Sequence, residues 1–176
     1  AVTAAGDVLL QNTGSIRVNA QLEATGSAIQ LTTTGGSTRT ITQAAAGVIV
    51  ADQLGLTTSN ASATLNTATN IVASLSGVSL GTGTFSFKPV ASAGLTVAAV
   101  AANGGIAIVN TSGNLTTTGA LSASAGAVSL ESTAATLILN GAVAGTSVSL
   151  KSAGPMALDA TVTTAGSVTL TVTGAG

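Results

Sequence analysis

Apolar and polar residues alternate along this chain in short bursts, and late in the sequence the bursts repeat in phase. Val128-Ser129-Leu130, Val148-Ser149-Leu150 and Val168-Thr169-Leu170 follow one another at a constant stride. Between them lie Leu137-Ile138-Leu139 and Met156-Ala157-Leu158, separated by one residue less than that stride, and then Ala142-Val143 and Thr161-Val162. Each burst is too short for a helix and has a period of two, which predicts a strand with side chains on alternate faces. Val128 and Leu130 then share one face, with Ser129 on the other. Three such strands per roughly 20 residues, separated by corners of Gly, Ala, Ser or Thr, predict one turn of a three-sided coil.

Stacking the coils at the ~4.8 Å spacing of hydrogen-bonded strands accounts for the phase. Val128, Val148 and Val168 form one inner ladder and Leu130, Leu150 and Leu170 a second, while the backbone amides pair with the coils above and below. A β-sandwich also has alternating strands at regular spacing, but nothing in it requires the same phase three times over. The expected fold is therefore all-β, a three-sided β-solenoid with about 20 residues per coil, running as a single segment over residues 1–176. Division of the length by the stride predicts nearly nine coils and a rod of about 40 Å.

The first coil fits the same pattern. Val8-Leu9-Leu10, Ile16-Arg17-Val18 and Leu22 with its neighbours predict three strands, and Ile29-Gln30-Leu31 restarts the cycle that Val8 began. A polar, glycine-containing turn is expected over residues 32–39. Short strands then follow at Ile41-Thr42-Gln43, Val48-Ile49-Val50 and Leu54-Gly55-Leu56. Residues 57–105 are the least regular, with weak strands punctuated by Asn60, Asn66 and Asn70. Phe85 and Phe87 share a face and are expected in the core, and Pro89, lacking an amide donor, belongs at a corner. The glycine-rich end at 174–176 carries no polar cap, and solenoid ends need covering. The chain is accordingly expected to be an interior or processed piece of a longer protein, or to meet other copies at its ends.

Composition narrows the chemistry. Charged residues make up 5% of the chain, four basic and five acidic, against ~25% in ordinary globular domains, and Cys, His, Trp and Tyr are absent. A charge at a repeating position would face its own copy one coil away, and like charges directly opposite one another destabilise a sheet. No basic patch supports nucleic-acid binding, and no apolar run is long enough for a membrane-spanning helix. The opening residues are not expected to be a secretory leader.

Candidate sites are few. Without His or Cys, general-base and thiol chemistry lack their usual groups. Asp7, Glu23, Asp52, Glu131 and Asp159 fall on separate coils, none a stride from another, so the carboxyl pair a glycosidase needs is not expected. The chain is read as a non-enzyme, with no cofactor and no metal; the Gly- and Asp-rich nonapeptides of calcium-loaded solenoids do not occur. Glu131 and Lys151 are one stride apart, each following an inner Leu, and predict an ion pair between adjacent coils. Asn140 and Asp159 are expected to stack at a corner. The Asn-x-Ser/Thr triplets at Asn60, Asn110 and Asn114 are expected by chance in so Ser- and Thr-rich a chain. One and two strides before Thr171 stand Lys151 and Glu131, and before Thr173 stand Ala153 and Thr133, so neither row makes the threonine ladder of an ice-binding face.

The Gly-x-Val-x-Leu phrase of Gly126–Leu130 and its repeats resembles the shaft of filamentous-haemagglutinin-like large exoproteins and autotransporter-type adhesins of Gram-negative bacteria. So do Ile41-Thr42-Gln43 with residues 47–56, residues 66–75, and residues 83–87 with 94–97. The resemblance covers most of the chain and implies a right-handed parallel β-helix, exported through the outer membrane and found outside the cell or on its surface. It implies a structural shaft segment of an adhesin or extracellular fibre, partnered by other copies or by the continuation of the same solenoid. The family's secretion domain and an Arg-Gly-Asp motif are not seen here, so a host-cell or matrix receptor would be met by a region outside this chain. Two alternatives are a filament subunit stacking end to end and an ice- or surface-binding solenoid.

Overall fold

The structure, a computed structural model, describes residues 1–35 and 39–174. The centre of the turn expected over 32–39 and the last two residues of the chain lie outside these. Among the described residues every regular element is a β-strand, and the strands pair in parallel in about eight coils spaced about 21 residues apart, a β-solenoid.

One column of strands runs the length of the molecule. It comprises Ile16–Val18, Thr40–Gln43, the start of Ser62–Ser79, Phe85–Pro89, Ile106–Asn110, Val128–Ser132, Val148–Ser152 and Val168–Val172. Its register passes through Ile16, Ile41, Ala63, Phe85, Ile106, Val128, Val148 and Val168. The longest step is the first, from Ile16 to Ile41, and the shortest are the last two, from Val128 to Val148 and on to Val168. Val128, Val148 and Val168 thus stand in one column. The coils are fewer than the expected nine and longer than the expected stride, because the repeats that set that stride are the shortest in the molecule. Eight strands at ~4.8 Å place the ends of this column about 34 Å apart.

The other two faces are built differently in the two halves. In the later coils they carry separate three-residue strands. Leu95, Leu115, Leu137 and Met156 form one column, and Val100, Leu121, Val143 and Val162 the other. In the earlier coils one strand serves both faces. Leu22–Thr33 and Ile49–Thr58 pair along their lengths with a register shift between Ala24 and Ala28, where the strand bends without breaking. The separate strands expected around Ile49 and Leu54 are therefore one element. The region expected to be least regular holds the longest strand, Ser62–Ser79. Apart from the buried Asn70, its polar residues sit on the outer face or in bulges, where they interrupt the apolar pattern without interrupting the ladder.

The core is narrow, aliphatic and continuous from Ile16 to Leu150. It takes in Phe85 and Phe87, both 1% exposed, with ring centroids 6.0 Å apart. Ala63 sits in register with Phe85, so a small residue lies beside a large one and the layers interdigitate. At the last coil the burial stops. Val168 and Leu170 continue the inner columns in register, but they are 46% and 53% exposed rather than buried. No described strand lies over them, and an inner ladder position is dry only when both neighbouring coils are present.

Candidate functional site

The polar side chains of this solenoid include an internal column at one corner, a buried amide pair near the other end, an outer row of hydroxyls and a few scattered charges. The internal column begins where the long column of strands turns its corner. Inward-facing positions recur two residues after an inner apolar one, in Ile108-x-Asn110, Leu130-x-Ser132 and Leu150-x-Ser152, and these three polar residues are stacked in register and fully buried. A strand that ends at a corner leaves backbone groups that the next strand cannot reach, and a buried side chain must pair with them.

Asn110 shows how this works. Its Oδ1 accepts from the Ala91 amide at 3.2 Å, and its Nδ2 donates to the carbonyls of Ser112, of Gly113 at 3.2 Å and of Asn114 at 2.9 Å. Ser132 Oγ donates to the Gly113 carbonyl at 3.1 Å, one coil back. Ser152 Oγ accepts from the Leu137 amide at 3.1 Å and lies within hydrogen-bond distance of the Ala135 and Pro155 carbonyls. Gly113 has a φ of +71°, and a Cβ there would stand 2.6 Å from the Ala91 carbonyl, so this corner accepts only glycine without strain.

Near the other end the buried pair Gln43 and Asn70 does the same for a bulge. Asn70 Nδ2 donates to the Leu65 carbonyl at 2.9 Å, and its Oδ1 accepts from the Ile49 amide at 3.0 Å. Gln43 Oε1 accepts from the Ala68 amide at 3.3 Å, and the two side-chain amides bond to each other.

Lys151 Nζ lies 2.8 Å from Glu131 Oε1 across adjacent coils, in the register of their strands. Asn140 and Asp159 follow the paired Leu139 and Leu158, and the Asp159 amide donates to the Leu139 carbonyl. Two further acids bond locally: Asp7 Oδ1 accepts from the Ala28 amide, and Glu23 accepts from Gln21 and Thr25. Among the described residues no three His, Cys, Asp or Glu gather as metal ligands.

Two features escape a reading of the sequence by stride alone. The inner polar column is one; the parity of Ile108-x-Asn110 is the signal that places Asn110 inside, where the Asn-Thr-Ser triplet draws attention to the surface instead. The other is an outer row in register through Thr42, Thr64, Ser86, Ser129, Ser149 and Thr169, interrupted at Ala107. The row through Thr171 runs beside it on the same strands, and Thr173 lies just past the last of them, so both miss it.

No family model, no curated protein and no solved structure matches this chain.

Proposed function

We propose that this chain is a rod segment whose work is mechanical, a shaft in a secreted or cell-surface bacterial adhesin or extracellular fibre. The observation that carries the reading is the continuous apolar core from Ile16 to Leu150, in which each coil is completed by its neighbours. Buried polar groups at the Asn110 corner and at Gln43 and Asn70 are spent on backbone groups of the coil itself rather than turned toward a cleft. The sparse charge fits the same role, since stacked rungs tolerate hydroxyls better than like charges. The resemblance to exoprotein shafts supplies the extracellular context.

A second reading is end-to-end assembly. Val168, Leu170 and Val172 occupy columns that are buried in the coils below, yet they are about half exposed, so the last described coil offers an apolar face that a further coil or a second copy would cover. The hydroxyl row from Thr42 to Thr169 favours a third, surface-binding reading, in which the purified chain shows thermal hysteresis.

Negative-stain electron microscopy of the purified chain separates the first two. Isolated short rods support the shaft, and long filaments of uniform width support assembly. Compact particles without an elongated axis refute both.

A further inference from the structure

Among the described residues the longest column of strands shows one register shift, and a groove lies there. Between the register pairs Leu65 with Phe87 and Asn70 with Pro89, four residues on one strand face only Lys88 on the other. Residues 66–69 therefore form a bulge, with Asn66, Thr67 and Thr69 exposed and Ala68 buried. The bulge is held from beneath by the two buried amides already described, which bond the Leu65 carbonyl and the Ala68 amide. The groove there is lined by residues 66–69, Lys88, Val90 and Thr111, with a volume of about 280 Å³.

We propose that this groove is a binding subsite for a sugar acid, a hydroxyl-bearing ring with one carboxylate such as a uronic acid residue. Lys88 carries the groove's only cation and has no carboxylate within ion-pairing distance among the described residues. It is free to take a ligand carboxylate in a charge-assisted hydrogen bond. Asn66, Thr67, Thr69 and Thr111 are uncharged and able to donate and accept. Asn66 Nδ2 is engaged with Ser86 Oγ at 2.8 Å, which leaves its oxygen for a sugar hydroxyl, and Thr111 Oγ1 donates to the Pro89 carbonyl at 3.0 Å and keeps its lone pairs. Val90 supplies an apolar edge for the ring's C–H face. The volume falls just short of the ~300 Å³ at which drug-sized sites begin, which suits one ring. Because the buried amides fix the bulge before any ligand arrives, little ordering is needed on binding.

The test is a titration of the full ¹⁵N-labelled chain with sodium glucuronate, followed by amide chemical shifts, with glucose and sodium acetate as separate arms at matched ionic strength. Saturable shifts confined to residues 66–69, 88–90 and 111 are expected, with a dissociation constant of about 1 mM for so small a ligand. Glucose and acetate, each lacking half the recognition, bind more weakly. Lys88→Gln weakens glucuronate binding by about tenfold or more, while Lys88→Arg largely retains it; Lys88 is exposed, so both variants keep the fold. No saturation at about tenfold higher concentration overturns the proposal, as does an undiminished response in Lys88→Gln or a glucose response equal to that of glucuronate. None of these outcomes bears on the rod itself, which electron microscopy tests separately.

Discussion

Replacement of Asn110 by Ala tests the internal corner most sharply. Asn110 is fully buried, and its side chain reaches one amide and three carbonyls. Two of those carbonyls keep other partners: Gly113 accepts from Ser132 Oγ, and Asn114 accepts from the Leu95 amide at 2.8 Å. The Ala91 amide loses the bond that Asn110 supplies. A buried donor stranded in this way costs ~1–3 kcal/mol, and the space left by the amide adds a cavity term, so a loss of about 3 kcal/mol is expected. Asn110→Asp sharpens the argument. It keeps the acceptor for Ala91 but turns an oxygen toward three carbonyls, so the charged form is disfavoured and its folded pKa must rise above the ~3.9 of an unfolded Asp. A group whose pKa is raised on folding favours the fold below the unfolded pKa and loses that contribution as pH rises, so this variant is less stable at pH 7 than at pH 4. Hydrogen exchange is the suitable assay, because a repeat array need not unfold in two states. In Asn110→Ala the Ala91 amide should lose its protection first, whereas in Asn110→Asp, which keeps its acceptor, it should retain more. Unchanged protection of Ala91, or a loss below ~0.5 kcal/mol on Asn110→Ala, would refute the account of the corner.

Other substitutions probe the same architecture at different depths. Leu130→Ala, at a fully buried rung with Ile108 and Leu150 in register on either side, should cost ~2–5 kcal/mol by chemical denaturation. Leu170→Ala, two rungs along the same column but 53% exposed, should cost under ~1 kcal/mol; equal losses at the two positions would contradict the assigned coil order. Gly113→Ala should cost more than ~2 kcal/mol, since a left-handed conformation alone costs ~1–2 kcal/mol for an L-residue and the added Cβ also meets backbone. In a double-mutant cycle with Glu131→Gln and Lys151→Gln, the coupling should be below ~1 kcal/mol and should fall with added salt, because both side chains are partly exposed.

How much of this could be read from residues alone depends on where along the chain one looks. The late coils are short and nearly equal, so Val128, Val148 and Val168 announce their column directly. The early coils are longer, and the excess is spent in bends and bulges such as those at Ala24 to Ala28 and Leu65 to Asn70. A bulge breaks the periodic pattern without breaking the ladder, so residues 62–79 look irregular in sequence while forming the longest strand. The corner column was hidden for a different reason. Asn110, Ser132 and Ser152 are polar residues at inward parity, and polarity alone argues for the surface; only the unpaired backbone of the corner makes the interior the better place for them. The Lys88 groove depends on a four-against-one mismatch between strands, which no single strand's sequence displays.

The central claim is that residues about 21 apart sit directly over one another. Because the chain has no native cysteine, a pair introduced as S129C and S149C reports on this without interference. The two positions are register partners on the outer face, and adjacent parallel strands bring their Cα atoms to ~4.8 Å, within the span a disulfide bridges. Mild oxidation of the monomeric double variant should close an intramolecular disulfide, whereas S129C with T169C, two coils apart at about 9.6 Å, should remain reduced. A free thiol pair in the first variant, or ready closure in the second, would contradict the stacked coil and everything built on it.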